Sequence, residues 1–196
     1  MLTASNISFE RYFQPVFQPV NFELGPGQLL LVTGANGCGK TTLIRVLAGI
    51  LHPSDGTLRN EARGMAYVGH YLAIKDDLSV LENLRFMRDF IGTSGREVVE
   101  VVKRMGLGRV AEQLARTLSA GQRKRCALSR LLLADNQLWL LDEPYSNLDV
   151  EGVELVDELL QAHLEAGGAC VLATHGAHRP AWANTIDYLL VSGARA

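Results

Sequence analysis

Leu29-Leu30-Leu31-Val32, followed at once by Gly34-Ala35-Asn36-Gly37-Cys38-Gly39-Lys40-Thr41, is the stretch on which the fold turns. Four unbroken apolar residues read as a strand buried on both faces, and the helical pattern over residues 41–50 takes over where the glycines end. The loop between them fits G-x-x-x-x-G-K-[ST] in the strand-loop-helix context that this phosphate-binding motif requires. Glycines let backbone amides converge on phosphate oxygens. Lys40 suits the β and γ phosphates, Thr41 can place its hydroxyl on Mg²⁺, Thr42 extends the same turn, and the helix start adds its positive dipole end. Binding of a nucleoside triphosphate is the expectation. Cys38, inside the loop, reads either as a small residue at a variable position or as a thiol activated by the helix N-terminus, whose alkylation would obstruct nucleotide binding.

Working outward, Leu138-Trp139-Leu140-Leu141, Val171-Leu172-Ala173 and Met65-Ala66-Tyr67-Val68 repeat the strand pattern. Helical periodicity returns over residues 150–166, which completes the β-α alternation of a doubly wound α/β fold with a parallel sheet. Residues 2–9, 20–24 and 56–59 alternate or are interrupted by Pro15, Pro19 and Pro26, as antiparallel or edge strands are. Over residues 78–105 there is no strand-like run. Leu81, Leu84, Met87 and Ile91, then Val98, Val101, Val102 and Met105, recur at helical spacing. One cassette-sized domain is expected, with a β core over about residues 1–70 and 127–196 and a helical subdomain over about residues 71–126.

The composition narrows the function. The 196 residues carry 19 Lys plus Arg against 21 Asp plus Glu, a net charge of -2, without the basic excess of a nucleic-acid surface. No nucleic-acid partner is expected. No apolar run reaches the ~18 residues of a membrane span, and the opening residues lack a signal-peptide pattern. The three cysteines, Cys38, Cys126 and Cys170, are spaced neither as a zinc site nor as a disulfide framework.

Asp142-Glu143 follows directly on the apolar run that ends at Leu141, so two carboxylates stand at the strand end where ligands bind in such sheets. Asp142 suits Mg²⁺. Glu143, on the opposite side of the strand, can orient and deprotonate an attacking water. Between the phosphate loop and this pair lies Leu118-Ser119-Ala120-Gly121-Gln122, at the head of a helical stretch expected to run through Ala134.

With that element the chain resembles the ATP-binding cassette family, whose L-S-G-G-Q signature it matches except for Ala120. The resemblance extends to Ser146-Asn147-Leu148-Asp149, similar to the D-loop, and to Thr174-His175, similar to the switch histidine. It implies a P-loop ATPase fold of cassette type with a parallel core, an antiparallel β layer and a helical subdomain. It further implies that Ser119, Ala120, Gly121 and Gln122 grip the ATP of a second copy in a head-to-tail sandwich, that Asp149 crosses the dimer while also capping a helix, and that His175 holds Glu143 and its water in register. His52, His163 and His178 are read as solvent-facing. The run Arg123-Lys124-Arg125 is read as a solvated helix face.

Two positions depart from the family pattern. Gly69-His70 stands where a glutamine that meets Mg²⁺ and reports to the membrane subunit is usual, so His70 is read as the substituted coupling residue, with a charge that varies near neutral pH. The adenine-stacking aromatic falls at Arg11 or Tyr12, with Phe13 packed into the core as a competing account of the aromatic cluster. His70, the L-S-A-G-Q form and the compact length are similar to the ATP-binding subunits of bacterial c-type cytochrome biogenesis systems. That resemblance implies an ATP hydrolase peripheral to the cytoplasmic face of the inner membrane. Its implied partners are a CcmB-like integral membrane subunit, CcmC-like and haem-chaperone components, and a second copy of itself. The alternatives are an ATPase subunit of another small-molecule transporter, a soluble cassette protein, which would need a tandem cassette, a coiled-coil insert or a basic face, and a nucleotide-gated module that does not hydrolyse, against which Glu143 and His175 argue.

Overall fold

The computed structural model describes residues 1–91, 96–175, 178–180 and 184–193. Its centre is a five-stranded sheet in the order β10-β5-β9-β8-β7, formed by β5 (Gln28–Thr33), β7 (Met65–Val68), β8 (Leu138–Asp142), β9 (Ala169–Ala173) and β10 (Asn184–Leu189). Every pairing in it is parallel. The unbroken apolar runs become β5, β8 and β9, because both faces of these strands are covered. On one face Leu30, Val32, Leu138, Leu140 and Val171 join the core with Leu43, Ile44, Val46 and Leu47 of α1 (Lys40–Leu47). On the other, Trp139 stacks on His163 of α6 (Val150–Glu165), ring centroids 3.8 Å apart and nearly parallel. His163 is therefore not the solvent-facing residue expected; the flat indole face captures it and Gly168 closes over its ring. Strand β10 escapes the apolar-run pattern, since Asn184, Thr185 and Asp187 interrupt it and as an edge strand it pairs with β5 alone.

A second, three-stranded antiparallel sheet has the order β4-β1-β6, with β1 (Leu2–Ser8), β4 (Val20–Leu24) and β6 (Asp55–Asn60). Alternation places Val20, Phe22 and Leu24 inward, in the same core cluster as α1. Between β1 and β4 runs a two-residue-loop hairpin of β2 (Glu10–Arg11) and β3 (Gln14–Pro15).

The chain divides into two compact units: residues 1–70, 137–143 and 159–196, and residues 71–136 and 144–158. The second unit holds α2 (Val80–Ile91), α3 (Val98–Arg104), α4 (Ala120–Leu128) and α5 (Arg130–Leu133). Leu84 and Met87 of α2, Val98, Val101 and Val102 of α3 and Met105 just past it are buried, as the helical spacing predicts, whereas Leu81 is only half-buried and Ile91, at the end of α2, is exposed; residues 92–95 of that stretch lie outside the described residues. Ser79 and Glu82 bond each other reciprocally at the start of α2, and the Ser79 amide holds the Glu82 carboxyl below its usual range. The single helix expected from the signature through Ala134 is instead two. Ser129 Oγ donates to the Arg125 carbonyl and the Leu132 amide reaches only back to Ser129, so the turn tightens there.

Cys38, Cys126 and Cys170 are all buried and free. Burial pushes the Cys126 thiol up to about 11 and raises Cys170 as well. A thiol raised above its ordinary value holds less reactive thiolate at every pH below that point, so native Cys126 should react with maleimide about a hundredfold more slowly at pH 7.5 than in guanidinium. Mass spectrometry of timed samples measures this, and equal rates in both solvents would contradict a closed core.

Candidate active site at the carboxyl edge of the parallel sheet

The parallel register aligns three strand ends. Val32 is level with Ala173, and Ala173 with Asp142, so the segments leaving β5, β9 and β8 emerge at one edge. Two backbone bonds lock them: the Thr174 amide donates to the Val32 carbonyl at 3.0 Å, and the Glu143 amide to the Ala173 carbonyl at 2.9 Å.

From β5 the chain enters the glycine loop. Gly34 (φ +149°) and Gly39 (φ +106°) adopt backbone conformations that disfavour side chains, and space forbids one too. A Cβ at Gly34 would lie 2.6 Å from the Leu190 carbonyl oxygen, and one at Gly39 2.9 Å from both Phe17 and Val16. Ala35, Asn36 and Gly37 form the exposed rim. Lys40 is buried beneath it, and its Nζ donates to the carbonyls of Gly34 at 2.8 Å and Ala35 at 3.2 Å. The ammonium thus stands inside the arc of the loop. Thr41 is half-buried and Thr42 buried in the first turn of α1. Cys38 packs into the core beneath Gly34, which identifies it as a filler of the loop; reagents meet a buried sulfur, contrary to the accessible thiol that the alkylation reading requires.

From β8 the chain delivers the acidic pair. Asp142 is 1% exposed, while Glu143 is turned out of the strand by a left-handed φ of +52°. Such a conformation is costly for a residue with a side chain, about 1–3 kcal/mol, and it re-aims the carboxylate at the segment leaving β9. There His175 Nδ1 lies 2.8 Å from Glu143 Oε2, the His ring exposed and the carboxylate mostly covered. A carboxylate fixed by an imidazole at a sheet edge, beside a glycine loop that encloses a buried ammonium, is an arrangement that can orient a water toward a phosphorus atom.

For Mg²⁺, the oxygen donors that the sequence assigns are the Thr41 hydroxyl at the start of α1 and the Asp142 carboxylate at the end of β8, elements that pack on each other. Hard oxygen ligands of this kind fit Mg²⁺, which keeps most of its shell as water and phosphate. No cluster of three or more His, Cys, Asp or Glu able to hold a metal occurs among the described residues.

The signature segment sits at the N-terminus of α4. Ser119 Oγ accepts from the Gln122 amide at 3.2 Å and Gln122 Oε1 from the Ser119 amide at 2.9 Å, a capping box that leaves Ser119 and Ala120 exposed. Gly121 faces the Asn147 carbonyl, 3.0 Å from where a Cβ would sit. Asp149 Oδ1 accepts from the Gly152 amide at 2.9 Å and caps α6, as its position before that helix predicts. His70 is exposed just past β7. Tyr12 and Phe13 form the two-residue tip of the β2–β3 hairpin, 90% and 97% exposed, which excludes a core role for Phe13 and leaves Arg11 and Tyr12 both exposed beside it. The basic run is not a solvated face: Lys124 is 2% exposed, and Arg123 bonds both Asp76 and the Ala115 carbonyl. Phe17 and Leu190, which wall the phosphate loop, carry no sequence signal for that position.

Comparison with known proteins fits this geometry. The family description "ABC transporter" matches residues 17–146. A cytochrome c biogenesis ATP-binding export protein CcmA of Xanthomonas axonopodis pv. citri is 46% identical over 91% of this chain and 88% of its own length. The protein of the same name from Xylella fastidiosa Temecula1 is 42% identical over 90% of this chain and 87% of its own length. A solved bacterial ABC transporter cassette, described as dimeric, superposes with a TM-score of 0.85 at 20% identity, covering 96% of this chain and 94% of that one, a likeness that speaks for the fold alone. On these matches the chain belongs to the ABC transporter family, as an ATPase cassette on its cytochrome c biogenesis branch.

Proposed function

We propose that this chain is the ATP-hydrolysing, energy-coupling subunit of an ABC complex serving c-type cytochrome biogenesis and haem delivery. The observation that carries the reading is the convergence of the glycine loop with Lys40, the Asp142-Glu143 pair and His175 on one edge of the parallel sheet. The cytochrome c biogenesis assignment leans on the CcmA relatives.

In this mechanism the loop amides of residues 34–41 and the Lys40 ammonium hold the β and γ phosphates, and Tyr12 or Arg11 stacks on the adenine. Thr41 and Asp142 would hold Mg²⁺, which when bound neutralises charge on the phosphate oxygens. A second copy, related head to tail, brings Ser119, Ala120, Gly121 and Gln122 to the γ phosphate and Asp149 across the junction. His175 fixes the Glu143 carboxylate, which orients the attacking water and takes its proton as the water oxygen bonds the γ phosphorus and the bond to the ADP oxygen breaks. Phosphate loss releases the two copies. Catalysis here is positioning and charge stabilisation.

No helix among the described residues is long and apolar enough to cross a membrane. A separate CcmB-like integral membrane subunit supplies the span in this reading, with CcmC-like and haem-chaperone components beside it. The chain then sits peripherally on the cytoplasmic face of the inner membrane, with His70 as the residue that reports nucleotide state to the membrane subunit.

Glu143→Gln keeps the side-chain shape and removes the base, so turnover should fall about 10²–10⁴-fold with ATP affinity retained; undiminished phosphate release would remove Glu143 from the base role. Lys40→Ala should abolish nucleotide binding itself, measured with a fluorescent ATP analogue, and unchanged affinity would contradict the phosphate-loop reading. Tagged Glu143→Gln protein, trapped with ATP in native membranes and purified, should bring down a CcmB-like membrane protein with haem-handling components. Recovery of an unrelated permease would leave the ATPase standing and remove the cytochrome c assignment.

A further inference from the structure

The loop over residues 72–79 is held by bonds the ATPase mechanism does not use. Three arginines spaced seven apart, Arg116, Arg123 and Arg130, each reach it. Arg123 Nη2 pairs with Asp76 Oδ1 at 2.7 Å while its Nη1 donates to the Ala115 carbonyl at 2.8 Å, so one guanidinium bridges the loop and the segment before the signature. Arg116 pairs with Asp77, and Arg130 donates to the Leu72 carbonyl. Arg123 lies in α4 and Arg130 opens α5, so two successive helices each send a guanidinium to the same loop.

Backbone bonds run alongside. The Arg116 amide donates to the Asp76 carbonyl at 3.1 Å and the Ala115 amide to the Leu78 carbonyl at 2.8 Å. On its other flank the loop is clasped by Asn83 of α2, which is 1% exposed. Its Oδ1 accepts from the Lys75 amide, and its Nδ2 donates to the carbonyls of Lys75, Leu78 and Ser79. The loop is thereby one piece with the start of α2 and one piece with residues 115–123. The signature residues Ser119–Gln122 lie between the two arginines that hold the aspartates, and Arg123 is the next residue after Gln122.

We infer that Arg123 and Asp76, seconded by Arg116 and Asp77, are positioning residues that set the signature segment on the loop of residues 72–79, so that movement of that loop and of α2 is carried to Ser119–Gly121. This rests on the reading of the signature as the part that grips a second copy's ATP. Arginine suits the task because its rigid fork makes two directed bonds at once. Arg123 is less exposed than Arg116, but both aspartates are open to solvent, so the pairs act through direction more than through strength.

The test compares Asp76→Arg, Arg123→Asp and the double exchange in the full-length chain, with Asp76→Asn as the mild variant that alters charge and little else. Each charge reversal should lower kcat by about tenfold or more, while affinity of the isolated chain for a fluorescent ATP analogue stays within about twofold. The double exchange should return kcat to within about threefold of the parent. In a Glu143→Gln background, ATP-driven dimer formation, read by size-exclusion chromatography, should follow the same order. Unchanged kcat in Asp76→Asn and in the folded reversals, equal losses of kcat and nucleotide affinity, or a folded double variant without rescue would each overturn the inference. Ser119→Ala separates the two readings. If it leaves turnover and ATP-driven dimers intact, the signature reading itself fails and the inference falls with it; if it abolishes them while the aspartate and arginine variants do not, the inference alone is lost.

Discussion

The structure depends on the parallel register that brings Val32, Ala173 and Asp142 level. Parallel strands buried on both faces have only their ends available for polar work, so the residues that follow them carry the chemistry. Gly34, His175 and Glu143 each lie within two residues of a register-locked position. A shift of one residue in β9 would turn its side chains to the opposite face of the sheet and part the 2.8 Å contact between Glu143 and His175.

That scaffold must be stiff because the site stores strain. Leu30, Leu140 and Val171 are fully buried, each stabilising the sheet by about 1.5–3 kcal/mol. A left-handed backbone at Glu143 and a near-fully buried carboxylate at Asp142 are tolerable only on such a base. The outcome is a carboxylate aimed by backbone and neighbour together, with little freedom to lose when a reacting group arrives.

The second unit solves a different problem. Its exposed ion pairs are individually worth only about 0–1 kcal/mol, so Asp76, Asp77 and their arginines contribute geometry more than stability. Asn83, almost wholly buried and satisfied by four backbone groups, makes the loop rigid where it meets α2. A rigid loop bonded to the residues on both sides of the signature transmits displacement rather than absorbing it.

Much of this was legible in the residues. Unbroken apolar runs announced β5, β8 and β9, and the glycines with Lys40 announced the phosphate loop, because burial on two faces and close approach to phosphate each tolerate few residue types. Asp149 as a cap was readable for the same reason. What the residues could not disclose was the local tightening at Ser129, the exposure of Phe13, the burial of Cys38 and, between distant segments, the stacking of His163 on Trp139 and the capture of Arg123 by Asp76. The sequence by itself determined the α/β class, the phosphate loop and the identities of the acidic pair, because local periodicity and backbone chemistry impose them. Only the tertiary structure decided that His163 stacks on Trp139 and that a basic run becomes a clasp, because partners distant in sequence are chosen by strand register and packing, which no local pattern encodes.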